Sequence, residues 1–141
     1  MNKKNVLGNL GKVKTKYNNK VNNELKDFEL KGLCPSHGSI LSALNENEKL
    51  TMKGISKLIC KDKSTVTALV NKLIKLGYVS KHRCELDNRV SYITLTDEGH
   101  SVEKIFSNIS GKLVEESFKD FTPDEIELLD KLLDKMVDNI R

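Results

Sequence analysis

No tryptophan occurs among these 141 residues, and there are only three tyrosines and four phenylalanines. A protein-recognition surface built on an aromatic centre therefore has little to draw on. Cysteine is scarce too. Cys34, Cys60 and Cys84 are odd in number and widely spaced, which gives no disulfide framework and suggests reduced thiols in a cytoplasmic protein. No C-x-x-C or H-x-x-x-H occurs, and His37, His82 and His100 are scattered, so neither a metal site nor a cofactor is expected. No apolar run approaches the roughly 20 residues of a membrane span. Gly, Lys and Asn interrupt every apolar run near the N-terminus, against a signal peptide. Enzyme chemistry lacks its usual marks, namely a glycine-rich phosphate loop, a nucleophile elbow or paired carboxylates. His82 and Cys84 are neighbours in sequence, but they fall on an exposed strand with no third orienting group. The chain is therefore not expected to be an enzyme.

What is present is charge, unevenly spread. Residues 1–95 hold 18 Lys and Arg against 8 Asp and Glu; residues 96–141 hold 6 against 12. The net +4 thus conceals a basic body and an acidic tail, the footprint of a nucleic-acid face with a rear that repels phosphate. Hydrophobic content of 38% beside 31% charged residues makes a modest core for one chain and favours burying more surface in a homodimer.

The basic part has a recognisable order. A short helix, Thr51 to Cys60, meets a polar break at Lys61-Asp62, and a second helix runs from Lys63 to Leu76 with Gly77 as its stop. Val66, Leu69, Val70, Leu73 and Leu76 form one apolar stripe at helical spacing. Asp62 is placed to cap the second helix. The opposite face reads Ser64, Thr65, Thr67, Ala68, Asn71, Lys72 and Lys75, with Lys63 at its start. None of these is acidic, which is unusual for a surface helix, where Glu–Lys pairs are the common decoration. Short hydroxyls and an amide approach base edges, and lysine neutralises phosphate. Taken alone, this helix is equally well read as an ordinary amphipathic core helix with a solvated face.

Two short extended runs follow, Tyr78 to Cys84 and Val90 to Leu95, flanking the polar turn from Glu85 to Arg89. Helix, turn, helix and a two-stranded ribbon is the order of a winged helix-turn-helix, and it predicts double-stranded DNA as partner. Lys81, His82, Arg83 and Arg89 gather near the ribbon tip, and Asp87 is close enough to pair with Arg89 or Arg83. Arginine suits both the minor groove and bidentate phosphate contact.

Ser64 to Val79, and Arg83 to Gly99 with its Asp87-x-Arg89 and Leu95-Thr96-x-x-Gly99 elements, resemble the MarR-type winged-helix transcriptional regulators. The resemblance spans nearly the whole chain. It implies a homodimeric DNA-binding regulator, usually a repressor, often released by a small-molecule effector. By position it makes Lys63 to Leu76 the recognition helix and Arg89 the wing-tip arginine. Ala68 stands where members often carry Arg, which removes one contact and bears on the operator sequence but not on the binding mode. The helix from Pro35 would link dimer region to reader head with ligands lodged beside it, so His37 is a candidate pocket residue and Tyr17 a companion. Some members sense oxidants through a cysteine near the N-terminus. Cys34, just before that helix, is the thiol placed for this.

The expected fold is mainly α with a small β-hairpin wing: one domain over residues 1–141, a winged-helix DNA-binding region at 33–99, and dimerisation helices at 1–30 and 100–141. Leu10, Val13, Tyr17, Val21 and Leu25 mark the N-terminal helix. Near the C-terminus, Thr122-Pro-Asp-Glu125 is a capping box, and Ile126, Leu129, Leu133, Met136 and Ile140 form a short heptad seam. That seam is read as a dimer contact; packing within one chain is the alternative. A competing function is a winged-helix protein-interaction module that never touches DNA.

Overall fold

The computed structural model describes residues 2–30 and 32–140. Among them the element order is α1 (Lys3–Asp27), α2 (Pro35–Glu46), β1 (Leu50–Thr51), α3 (Met52–Ile59), α4 (Lys63–Lys75), β2 (Val79–Arg83), β3 (Ser91–Leu95), α5 (Asp97–Ser117) and α6 (Pro123–Asn139). The chain divides into two compact units, 1–110 and 111–141. The outermost residues of the expected dimerisation segments, Met1 and Arg141, lie outside the described residues.

The first unit is built around the stripe of α4. Val66, Val70 and Leu73 are inaccessible to solvent, as are Ile40 and Leu41 of α2, Ile55 of α3 and Ile93 of β3. Each such aliphatic side chain contributes about 1.5–3 kcal/mol by leaving water. Leu76, expected on the same stripe, is 42% exposed instead. It is the C-cap of α4, and the chain turns away there through Gly77 at φ 82°.

The wing has one strand more than the expected two. The sheet order is β1-β3-β2, all antiparallel, with Leu50 opposite Ile93 and Val79 opposite Leu95. Two residues are too few to show alternation in a sequence. Thr51 ends β1 and also caps α3, its hydroxyl accepting from the Gly54 N–H at 3.0 Å.

A compact joint sets α5 against the end of α4. The Thr96 hydroxyl donates to the Gly77 carbonyl at 2.6 Å and accepts from the Gly99 N–H at 3.0 Å. Gly99 lies so close to the Tyr78 carbonyl that an added Cβ would sit 1.9 Å from its oxygen. Along α1, burial is confined to Val21 and Leu25, while Val6, Leu7 and Val13 stay at least half exposed.

The second unit is simpler. The capping box of α6 forms as expected: the Thr122 hydroxyl accepts from the Glu125 N–H at 3.1 Å, and the Glu125 carboxylate accepts from the Thr122 N–H at 2.9 Å. No residue of α6 is buried. Phe118, Pro123, Ile126, Leu129 and Leu133 line an open apolar cup rimmed by Glu127 and Asp130.

Candidate nucleic-acid interface

The turn between α3 and α4 fixes where the second helix begins. Cys60 takes the left-handed conformation at φ 56°, and the Ser56 hydroxyl donates to the Lys61 carbonyl. The sequence suggests that Cys60 is buried filler. It is exposed, because a left-handed cap turns its side chain outward, with the thiol on the Lys57 carbonyl at 3.8 Å. Asp62 then caps α4, accepting from the Thr65 N–H at 2.9 Å. Hydrogen bonding from Thr65 holds its carboxyl below the usual carboxylate range.

The outer face of α4 is open. Lys63, Ser64, Thr65, Ala68, Asn71, Lys72 and Lys75 are exposed, and Thr67 is half-buried. The Thr67 hydroxyl donates to the Lys63 carbonyl at 2.8 Å, which leaves its oxygen able to accept. Lys72 is engaged differently: its ammonium donates to the carbonyl of Gly32, between α1 and α2.

In the wing, Asp87 pairs with Arg89. One carboxylate oxygen accepts from the Arg89 backbone N–H at 3.0 Å and from its Nε at 3.2 Å. The backbone N–H foremost, then the guanidinium, holds the Asp87 carboxyl below its usual range. The side chain of Arg89 remains 91% exposed, so Asp87 orients the guanidinium without burying it. Lys81 and Arg83 are exposed on β2, opposite Ile93 and Ser91. Between them, His82 Nε2 lies 3.2 Å from the Thr94 hydroxyl. A contact absent from the sequence reading is Lys49 over the Tyr92 ring, 4.6 Å from its centroid. Only the pairing of β1 with β3 brings these two together.

The remaining candidates lie on α1 and at the start of α2. Cys34 is the N-cap of α2, and its N–H donates to His37 Nδ1 at 2.9 Å. Hydrogen bonding to His37 lowers the Cys34 thiol to about 7, against partial burial, which raises it. His37 is 4% exposed, and its Nε2 has no hydrogen-bond partner among the described residues. Tyr17 serves a different joint, sharing a 2.6 Å hydrogen bond with Ser110 of α5. Gly38 is required beside His37, since a Cβ there would meet the Phe106 ring at 2.3 Å.

A sequence profile described as transcriptional regulator SarA/Rot matches residues 12–105. The chain belongs to the SarA/Rot family of transcriptional regulators. The HTH-type transcriptional regulator SarZ of Staphylococcus aureus is 33% identical over 122 residues, which is 86% of this chain and 74% of that protein. SarZ of Staphylococcus epidermidis is 34% identical over 92 residues, 65% of this chain, and the match spans only 60% of that protein. Among solved structures, a MarR protein from Peptoclostridium difficile superposes with a TM-score of 0.86 at 29% identity, covering 96% of this chain and 87% of the other. A mutant MarR from E. coli, complexed with operator DNA, gives 0.80 at 23% identity over 92% of each chain; that likeness establishes the fold. The SarA/Rot protein is thus a winged-helix transcriptional regulator of MarR-like fold, in a family of regulators and not of enzymes.

Proposed function

We propose that this regulator binds double-stranded DNA sequence-specifically, as a homodimer on a pseudo-palindromic operator, and represses transcription in the cytoplasm. The observation that carries the reading is the acid-free, exposed face of α4, together with a wing arginine already oriented by Asp87. On this reading Ser64, Thr65, Thr67, Ala68 and Asn71 face base edges in the major groove, while Lys63, Lys81, Arg83 and Arg89 meet phosphate or the minor groove. Two copies related by a two-fold axis would present their α4 helices about one turn of DNA apart. No helix among the described residues is long and apolar enough to cross a membrane.

Release by a small-molecule effector is part of the proposal. It is supported by His37, whose buried Nε2 is a hydrogen-bonding group still without a described partner, with Tyr17 as the weaker companion on α1. A second reading, thiol-based sensing at Cys34, is favoured by the lowered thiol beside that same histidine.

Fluorescence anisotropy with random-sequence duplex across a salt series tests the main claim. Binding with a steep negative log–log slope, about 0.9 per phosphate neutralised, is expected. No binding at low salt by the folded protein would remove the DNA reading and leave a protein-interaction module. Once an operator is selected, Arg89→Ala should weaken operator and random duplex alike, whereas Asn71→Ala should chiefly reduce discrimination.

A further inference from the structure

Lys72 stands on the outer face of α4, yet its charge is tied to another part of the chain. Its ammonium donates to the carbonyl of Gly32, 40 residues earlier in the chain. Gly32 is built for that contact. Its φ of 86° is a conformation that side chains disfavour, and a Cβ there would stand 2.9 Å from Lys72 Nζ. Its described neighbours are tied by bonds of their own. The Leu30 N–H donates to the Leu25 carbonyl at 3.0 Å, the Leu33 N–H to the Leu30 carbonyl at 3.3 Å, and the Leu33 side chain is buried. Two residues beyond Gly32, Cys34 caps α2.

We infer that Lys72 is a positioning residue and not a phosphate contact: it ties the recognition helix to the segment joining α1 and α2, and so sets the pose of α4 relative to α1. This rests on the reading of α4 as the DNA-facing helix. The bond to Gly32 takes one of the three ammonium donors and fixes where the charge stands, so Lys72 can reach a phosphate only from that position or after letting the tie go. Held as it is, Lys72 couples any shift of the connecting segment to the helix that reads DNA. The neighbouring Lys63 and Lys75 need no such exchange to remain in solvent.

Hydrogen exchange on the full chain tests the tie without DNA. The Leu33 and Cys34 amides, bonded to the Leu30 carbonyl and to His37 Nδ1, report on the segment. In Lys72→Met both should exchange about threefold to tenfold faster, because the stem remains but the charged donor is lost. Lys72→Arg, which still donates, should stay near wild type. The same proteins are then titrated with random-sequence duplex over a salt series. Lys72→Met should bind more weakly with an unchanged slope. A slope smaller by about 0.9 would make Lys72 a phosphate contact and overturn the inference. Unchanged exchange in Lys72→Met would overturn it equally. If the wild type binds no duplex at all, the DNA reading fails, and the exchange result alone still decides whether the tie exists.

Discussion

Cys34 owes its chemistry to position. Placed at the start of α2 with His37 in the third helical position, the thiol gains hydrogen bonds that favour its charged form, and half-burial opposes them only in part. The result is a thiol at about 7, where an ordinary one titrates near 9.0. Alkylation of Cys34 by iodoacetamide should therefore rise to half its maximal rate near pH 7, and His37→Ala should move that midpoint upward towards 9.0. Exposed Cys60 and half-buried Cys84 in the same molecule serve as internal references for mass-spectrometric quantitation. A Cys34 midpoint that is the same in wild type and His37→Ala would show that the histidine does nothing to the thiol. The sign for stability follows from the lowered value. This group's contribution is complete above 9.0 and is lost as pH falls through about 7.

At the scale of elements, the joint between α4 and α5 is the most constrained contact. Gly99 faces a backbone carbonyl and not a movable side chain, so a Cβ at 1.9 Å forces the two elements apart. Gly99→Ala should cost about 3 kcal/mol of unfolding free energy, as overpacking of a fixed joint does. Gly111, in the same helix, has nothing within 4 Å of an added Cβ. Gly111→Ala should stabilise by about 0.5–1 kcal/mol, from helix propensity alone. Urea denaturation of the two variants decides: shifts of the same sign would mean that local backbone entropy, not the joint, governs both. The helix boundaries were legible because periodicity and caps coincide. Asp62, Gly77, Thr96 and the Thr122–Glu125 box each do locally what their chemistry suggests. Strand β1 was not legible, since a two-residue strand is defined by its partner across the sheet and not by its own pattern. Leu76 and Cys60 were misplaced for a related reason. Helical spacing assigns a face to every residue, but the last turn and the left-handed cap leave the helix and no longer obey it. Of the reading face, the exposure of the short polar residues could be taken from spacing, whereas the engagement of Lys72 could not, because Gly32 is distant in sequence.

On the scale of the whole molecule, the feature that asks for an explanation is apolar surface left in water. In α1, Val6, Leu7 and Val13 are 50%, 55% and 61% exposed; Leu128, Leu132 and Val137 of α6 and Ile140 at its C-cap are at least half exposed. Singly these would be ordinary; here they recur along one helix in each unit. Charge points the same way. Lys3, Lys4, Lys12, Lys14, Lys16 and Lys20 decorate α1, while Asp124, Glu125, Glu127, Asp130, Asp134 and Asp138 decorate α6, so the two helices carry opposite charge that a second copy could pair. The proposed homodimer would cover these surfaces, and it makes a prediction that a monomeric regulator does not. Leu7 is already more than half in water, so Leu7→Asp should leave unfolding of a lone chain within about 0.5 kcal/mol. In a dimer the same change buries a carboxylate in an apolar contact, which is costly without a partner. Sedimentation equilibrium should then find wild type as a dimer and Leu7→Asp as a folded monomer with an unaltered circular-dichroism spectrum. Because the dimer supplies two reading heads at once, the variant should also lose most of its affinity for a full operator while keeping that for a half-site. A variant that remains dimeric would place the interface away from this half of α1. A wild type that sediments as a monomer would remove the two-fold geometry on which the palindromic operator depends.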